Sequence, residues 1–206
     1  MIEKPNYQNE FEKITDNIEK TGTRPRLLLH SCCAPCSSYV ISYVANWFDV
    51  TVIYYNPNIF PKEEYEKRKA EQIRLIKELG YNVEIKFMDS DYDTDKFKEM
   101  ERQFEDEPQG GLRCFHCYRL RLEKTAAEAK AGKFDYFGTT LTVSPHKSAR
   151  VLNQVGKECE QIYGVKFMYS DFKKKDGFKK SIELSCKYKL YRQNYCGCES
   201  SMKDMK

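Results

Sequence analysis

Short apolar segments alternate with stretches of helical periodicity from residue 26 onward, and this alternation restricts the possible folds more than any other feature. Nearly continuous apolar runs between helices are typical of parallel strands that are covered on both faces. Such strands are predicted at Arg26–His30, Asp49–Tyr55, Tyr81–Met88, Phe134–Thr142 and Val165–Ser170. The sequence therefore predicts a single α/β domain at 26–206, in which helices flank a parallel sheet.

Proline, glycine and serine positions predict where the helices between these strands begin and end. Pro35 can occupy the first turn of one helix, and Pro61 opens a second helix that Gly80 closes. Ser144 and Pro145 are expected to be the N-cap and the first residue of a third helix.

The loops that follow the strands are the expected place of function. In open parallel sheets, ligands bind beyond the carboxyl ends of the strands. Polar loops follow predicted strands at 30–33, 56–58 and 142–146, so these loops are expected to share one rim. Residues 1–25 are predicted to form an N-terminal helical extension.

Nine cysteines are an unusual number for a chain with no recognisable signal peptide. The first 26 residues are polar, and no apolar run approaches the roughly 18 residues that span a bilayer, so a cytoplasmic protein outside the membrane is expected. Disulfides rarely persist in a reducing compartment, and an odd count leaves one cysteine over. Metal binding or thiol chemistry is therefore favoured.

Seven of the cysteines fall into three groups. Cys32, Cys33 and Cys36 lie in a predicted strand-to-helix turn, where the helix N-terminus favours thiolate over thiol. The other groups are Cys114-Phe115-His116-Cys117 and Cys196-Gly197-Cys198. One zinc ion or one iron–sulfur cluster takes four ligands, and seven cysteines exceed that number. Two adjacent metals are therefore favoured, and one cluster beside a thiol pair is the alternative. Soft thiolates select iron–sulfur or zinc.

The remaining two cysteines are predicted to lie outside the site. Cys159 falls on one apolar helical stripe with Val151, Val155 and Ile162, which indicates a core position. Cys186 has no partner nearby in sequence and is expected to be structural.

Six segments, in order along roughly residues 26–198, resemble the epoxyqueuosine reductase family QueH. They are His30-Ser31-Cys32-Cys33-Ala34-Pro35-Cys36, Tyr55-Asn56-Pro57-Asn58-Ile59, the start of the helix from Pro61 to Arg68, Arg113-Cys114 to Cys117, Thr139 to Lys147, and Tyr191-Arg192-Gln193-Asn194-Tyr195-Cys196-Gly197-Cys198. The resemblance implies a Rossmann-like domain similar to the nucleotide-α-hydrolases, with the cysteine loop in place of their glycine-rich phosphate loop.

The resemblance also implies a reaction and its cofactors. Epoxyqueuosine at the wobble position of tRNA would be reduced to queuosine, the last step of queuosine biosynthesis, without cobalamin. A [4Fe-4S] cluster next to a second iron would serve this oxidoreductase, and the electron donor is not identified by the sequence. Some relatives carry aspartate where this chain has Cys36, which suggests that Cys36 binds the second iron; the division of the other six cysteines stays open.

Candidate catalytic and substrate-binding residues adjoin the cysteine groups. Proton donors could be His116, Tyr118, Tyr191 or Tyr195, and packing is the alternative for each. His146, Lys147, Arg150 and Arg192 are predicted to contact the substrate, since cations pair with phosphate. Arg113 and Arg119 could bind phosphate or lower the pKa of neighbouring thiols. Lys173-Lys174-Lys175 and Lys179-Lys180 form a candidate patch for the tRNA backbone, or a solvated turn.

Three other classes of protein are consistent with parts of the sequence. A zinc-organised RNA-binding protein without redox activity would use the same cysteines. A sulfur-transfer enzyme on tRNA would want a glycine-rich ATP loop after the first strand, which 32–36 does not offer. A thiol–disulfide oxidoreductase would need no iron.

Overall fold

The structure, a computed structural model, describes residues 5–80 and 84–203. Its centre is one five-stranded sheet with the order β3-β2-β1-β4-β5, in which every pair of neighbours is parallel. The strands are β1 (Arg26–His30), β2 (Asp49–Tyr54), β3 (Lys86–Asp89), β4 (Tyr136–Thr139) and β5 (Lys166–Phe167). The predicted α/β domain with a parallel sheet and flanking helices is confirmed.

Helices connect the strands and cover the sheet. They are α1 (Tyr7–Thr21), α2 (Ala34–Val44), α3 (Lys62–Glu78), α4 (Asp95–Gln103), α5 (Leu112–Ala131), α6 (Ala149–Tyr163), α7 (Gly177–Lys187) and α8 (Glu199–Lys203). A 3-10 turn, Thr140–Val143, follows β4. Among the described residues, no helix combines the length and the apolar character that crossing a membrane requires.

The two faces of the sheet support two separate cores. Side chains alternate along a strand, so neighbours in sequence point to opposite faces. In β1, Leu27 and Leu29 join the core that includes Val40 and Val44 of α2, whereas Leu28 joins the core under α5 and α6. Both faces are therefore buried, which explains why the strands are nearly continuous in apolar residues.

The connection order places the cysteine loop at a topological switch point. The chain runs outward from β1 to β2 and β3, then returns to the other side of β1 through β4 and β5. A crevice forms where the direction reverses, beyond the carboxyl ends of the strands. His30 closes the end of β1, since its Nε2 lies 3.1 Å from the carbonyl oxygen of Tyr55 and its Nδ1 3.0 Å from Thr139 Oγ1. The loops after β1 and β2 therefore share the predicted rim.

The boundaries of several elements differ from the predictions. β4 ends at Thr139 because its hydroxyl accepts a hydrogen bond from Leu141 N and starts the 3-10 turn. β5 is also shorter than predicted, and the first residues of the third predicted strand, 81–83, lie outside the described residues. The expected helix start at Ser144 and Pro145 is wrong, because Ser148 caps α6 by accepting from Val151 N.

The apolar stripe predicted along helix α6 is only partly buried. Cys159 is fully buried, as predicted, but Ile162 is 60% exposed near the helix C-terminus. Cys186 is exposed on α7 rather than packed, so it has no place in the core. Helix α1 lies against the domain through Phe11, which contacts Tyr43 and Trp47 among other aromatic rings.

Candidate metal centre and substrate cavity

Three thiols converge where β1 ends and α2 begins. Cys33 is the N-cap residue of α2, and Cys36 lies in its first turn. The sulfur atoms of Cys32, Cys33 and Cys36 all lie within 4.8 Å of one another, and Cys32 Sγ is 3.6 Å from Cys33 Sγ. Metal–sulfur bonds of about 2.3 Å in a tetrahedral arrangement place two sulfurs about 3.8 Å apart. This trio could therefore bind one metal ion.

The three thiols of the trio differ in pKa. Hydrogen bonds from Cys32 and Cys36 hold the pKa of Cys33 well below its usual value, while hydrogen bonds with Cys32 and Cys33 raise the pKa of Cys36. One thiolate is thus favoured at the helix N-terminus, where unpaired N–H groups stabilise negative charge. A thiolate is the form of cysteine that binds a metal.

The other four cysteines line a second, narrow cavity of about 20 Å³. Cys114 and Cys117 lie in the first turns of α5, and Cys196 and Cys198 lie in the loop before α8. Burial raises the pKa of Cys117 to about 12. Within the described part of the chain, the trio at α2 is the one set of three or more potential ligands with all atoms inside 4.8 Å, so these four sulfurs are more widely spaced.

Gly197 gives the loop between Cys196 and Cys198 its shape. Its φ of 132° is a conformation that side chains rarely adopt, and an added Cβ would come within 3.0 Å of Ile59. Its carbonyl oxygen accepts a hydrogen bond from Phe60 N at 2.8 Å. Glycine is therefore the residue that fits between the two cysteines.

A larger cavity of about 310 Å³ adjoins the two cysteine sets. Cys32 and Cys36 line it from the trio, and Cys196 lines both this cavity and the narrow one. Polar side chains form most of the remaining wall, including Ser144, His146, Lys147, Arg192, Gln193 and Asn194. The three cysteine groups, far apart in sequence, therefore meet at one edge of the sheet.

The donor set and one buried cation fit a negatively charged inorganic centre. Arg121, 1% exposed, lines both cavities, and its Nη2 has no hydrogen-bond partner among the described residues. Burial alone would lower the pKa of this guanidinium, but Cys117 and Cys196 raise it above its usual value. A buried cation that has thiols beside it, and no carboxylate among the described residues, is an arrangement that a thiolate-bound metal would neutralise.

The four candidate proton donors occupy different surroundings. Tyr118 lines the narrow cavity, where burial raises its pKa. The hydroxyl of Tyr195 donates to Phe60 O at 2.6 Å, although its residue lines the large cavity. The Tyr191 hydroxyl bonds both oxygens of Glu64 at 3.1 Å. The ring of His116 stacks on Phe104, with 4.6 Å between ring centroids, and lines neither cavity.

Not all of the residues predicted to bind the substrate line the large cavity. His146, Lys147 and Arg192 line the large cavity. Neighbouring thiols, Cys196 first, raise the pKa of Lys147 against the opposite effect of its burial. Arg150 is exposed in the first turn of α6 and does not line the cavity. Arg192 Nη1 donates to Ser185 Oγ at 3.0 Å.

Several of the other basic residues form contacts within the protein, and the rest are exposed. Arg119 pairs with Glu158 at 2.5 Å, and Arg113 is buried with its Nη1 on Glu105 O. Lys173 donates to Thr142 O, and Lys175 pairs with Glu12. Lys174, Lys179 and Lys180 are exposed. Lys174 precedes α7, and Lys179 and Lys180 lie in its first turn, next in sequence to Phe178, which lines the large cavity.

Two buried residues of α3 hold the site together and were missed by the sequence analysis. Arg68 donates through Nη1 to Cys196 O at 3.1 Å and through Nε to Glu64 at 2.6 Å. Gln72 Oε1 accepts from Ser31 and Ser37 Oγ, each at 2.7 Å, and so ties both sides of the trio to α3. Their i, i+4 spacing on a buried helix face was the available signal.

These observations define a class of protein: an α/β domain whose parallel sheet carries, at its carboxyl edge, a thiolate site that can bind a metal. A family model described as Epoxyqueuosine reductase QueH matches residues 27–204. The chain belongs to this family, and the predicted resemblance is confirmed.

Relatives from distant bacteria agree with this assignment. A protein of Staphylococcus epidermidis named Epoxyqueuosine reductase QueH is 40% identical over 200 residues, which are 95% of this chain and 84% of the relative. A Streptococcus pyogenes protein of the same name is 39% identical over 198 residues, 95% of this chain and 78% of its own. One from Thermotoga maritima is 35% identical over 179 residues, or 85% and 90% of the two chains.

Proposed function

We propose that this chain is an epoxyqueuosine reductase acting on tRNA. Epoxyqueuosine at the wobble position takes up two electrons and two protons, the epoxide oxygen leaves as water, and the cyclopentene of queuosine remains. The family match over residues 27–204 carries this proposal, and the meeting of the three cysteine groups at two adjoining cavities supports it.

The spacing of the sulfurs supports a division of the cysteines between two inorganic groups. A single metal ion needs ligand atoms close to one another, as in the trio of Cys32, Cys33 and Cys36. A [4Fe-4S] cluster takes four thiolates, each on a different iron, and therefore needs wider spacing. The narrow cavity is lined by four cysteines, Cys114, Cys117, Cys196 and Cys198, and no three of their sulfurs lie within 4.8 Å of one another. We assign the cluster to these four and a second iron to the trio.

Such groups would supply the chemistry that side chains lack. When bound, the cluster would provide electrons and the second iron a Lewis acid for the departing oxygen. The electrons must come from a donor protein or small reductant, so an electron donor is a further partner in this proposal.

The chain itself would hold the substrate and a proton. Tyr118 lines the narrow cavity together with the four cysteines, whereas the Tyr191 and Tyr195 hydroxyls bond Glu64 and Phe60 O and His116 lines neither cavity. The Tyr118 hydroxyl is therefore the proton donor that the surroundings favour. Of the four cysteines around the narrow cavity, Cys117 and Cys198 are buried and Cys114 and Cys196 are partly exposed. Lys147 and Arg192 provide positive charge in the large cavity, and His146 provides a further hydrogen-bonding side chain, so a nucleotide can be held there through its phosphates.

The tRNA backbone would extend from the cavity onto the start of α7. Lys174, Lys179 and Lys180 are exposed and adjoin Phe178 at the cavity wall. Arg150 is exposed at the start of α6 and could contact a phosphate outside the cavity. The division into an extension at 1–25 and a metal-binding catalytic domain at 26–206, like the cytoplasmic location, stays a prediction.

The proposal is tested by combining metal analysis with nucleoside analysis. The protein is purified without oxygen, and its iron and acid-labile sulfide are measured. It is then incubated with dithionite and tRNA from a strain that lacks this gene, and the nucleosides are analysed by mass spectrometry. We expect a brown protein and a product lighter than epoxyqueuosine by one oxygen atom.

Two variants compare a cysteine of the proposed cluster site with a cysteine outside it. Cys117→Ala is expected to lose sulfide and activity, whereas Cys186→Ala, altered on the exposed side of α7, should keep both. A colourless zinc protein that binds tRNA without changing its nucleosides would favour the RNA-binding alternative. Activity that survives complete chelation of iron would contradict the proposal in favour of a thiol–disulfide mechanism.

A further inference from the structure

Among the residues that the structure describes, Arg121 is a buried cation without a carboxylate partner. Its side chain sits in the middle of α5, and its Nε donates to Cys117 O at 3.1 Å. In the described part of the chain, no carboxylate forms an ion pair with it, and its Nη2 is unbonded. A buried charge is unfavourable unless an opposite charge lies beside it, so the fold implies an anionic partner at this position.

The groups that can supply this negative charge are the site cysteines. Cys117, Cys196 and Cys32 are the neighbours whose deprotonated forms, the forms that bind a metal, favour the protonated guanidinium. Arg121 lines both the narrow cavity and the large one, so it stands between the two cysteine sets. On its remaining side, the guanidinium carbon lies 5.6 Å from the centroid of the Tyr118 ring, whose negative face also favours a cation.

We propose that Arg121 is a positioning residue whose fixed positive charge favours one-electron reduction of the cluster held by Cys114, Cys117, Cys196 and Cys198. This inference rests on the cofactor assignment of the proposed function. Reduction adds one negative charge to the cluster, supplied by a chemical reductant, and no bond to the protein forms or breaks. Inside a protein the effective dielectric is low, so a nearby cation stabilises the reduced state more than the oxidised one.

The midpoint potential of the cluster is the measurement that tests this role. The holoprotein and its variants are titrated anaerobically with dithionite, and the reduced cluster is followed by electron paramagnetic resonance. Arg121→Gln is expected to weaken reduction at least tenfold, which corresponds to a potential about 59 mV more negative for one electron. Arg121→Lys keeps the charge and should shift the potential less.

A matched control lies on the same helix. Arg119 pairs with Glu158 and Glu123 at the surface, so Arg119→Gln removes an arginine without removing the buried charge. Its potential should equal that of the unaltered protein. Equal potentials in Arg121→Gln and the unaltered protein, with full iron and sulfide in both, would overturn the inference. Absence of iron and sulfide from the unaltered protein would instead refute the cofactor assignment.

Loss of the cluster from Arg121→Gln would be resolved by chemical rescue. In Arg121→Ala, low concentrations of guanidinium should restore cluster binding, whereas urea, which has the same shape and no charge, should not. Equal rescue by both compounds would show that Arg121 acts through packing, and failure of both would likewise reject a role for its charge.

Discussion

Replacing Arg68 by methionine should destabilise the fold and release the Cys196 loop together. The guanidinium is paired with Glu64 at 2.6 Å, and the two side chains are only 1% and 12% exposed. Removing one member of such a buried pair leaves an uncompensated charge, which costs about 3–5 kcal/mol. Arg68 also bonds the carbonyl oxygens of Cys196 and Tyr195, so the loop loses these two bonds to α3.

The assay measures the free energy of unfolding and iron content in the same samples. Denaturant titration of the metal-free protein should show a loss of about 3–5 kcal/mol for Arg68→Met. Lys69→Met is the control, because Lys69 pairs with Asp89, which is 58% exposed, and such a pair contributes at most about 1 kcal/mol. Anaerobic reconstitution should give less iron and sulfide per chain for Arg68→Met than for the control.

A double variant distinguishes the charge from the lost contacts. Because Glu64 is left unpaired in Arg68→Met, adding Glu64→Gln should recover part of the lost stability. Free energies that simply add in the double variant would refute the reasoning, and so would a loss below about 1 kcal/mol in Arg68→Met.

Three further predictions concern the trio, the basic patch and the start of α7. Cys36→Ala should keep sulfide and the cluster but lose one iron and all turnover; loss of the whole cluster, measured by sulfide analysis, would contradict the assignment of Cys36 to the second iron. Changing Lys174, Lys179 and Lys180 to glutamine should weaken tRNA binding about tenfold at low salt and flatten its salt dependence. The same change at the exposed lysines 20, 130 and 133 should not, and unchanged binding in the first variant would exclude the patch. Gly177→Ala should lower the free energy of unfolding by about 1–3 kcal/mol or more, since its Cβ would lie 1.7 Å from the carbonyl oxygen of Phe172; Gly22→Ala, with no neighbour within 4 Å, should cost about 1 kcal/mol, and equal losses would refute the steric explanation.

Much of the site was predictable because its signals are local in sequence. The three cysteine groups are visible as short spacings, and the strand before Cys32 is visible as the apolar run at 26–30. Because the carboxyl ends of parallel strands lie at one edge, the loops at 30–33 and 56–58 were expected to be neighbours. The hydrogen bonds of His30 with Tyr55 O and of Asn56 with Ser31 O confirm this. The start of α6 was not predictable in this way, because Ser144 and Ser148 both qualify as caps and the 3-10 turn decided between them.

The sequence alone determined the α/β class, the family and the three cysteine groups that are the candidate ligands, since hydrophobic periodicity, motifs and residue type suffice for these. Only the tertiary structure decided which sulfurs are close neighbours and which surround a cavity. It also decided that Arg68, Gln72 and Arg121 are buried beside them. Burial and pairing depend on contacts between segments more than 100 residues apart, such as Arg68 with Cys196, and no local pattern encodes those distances.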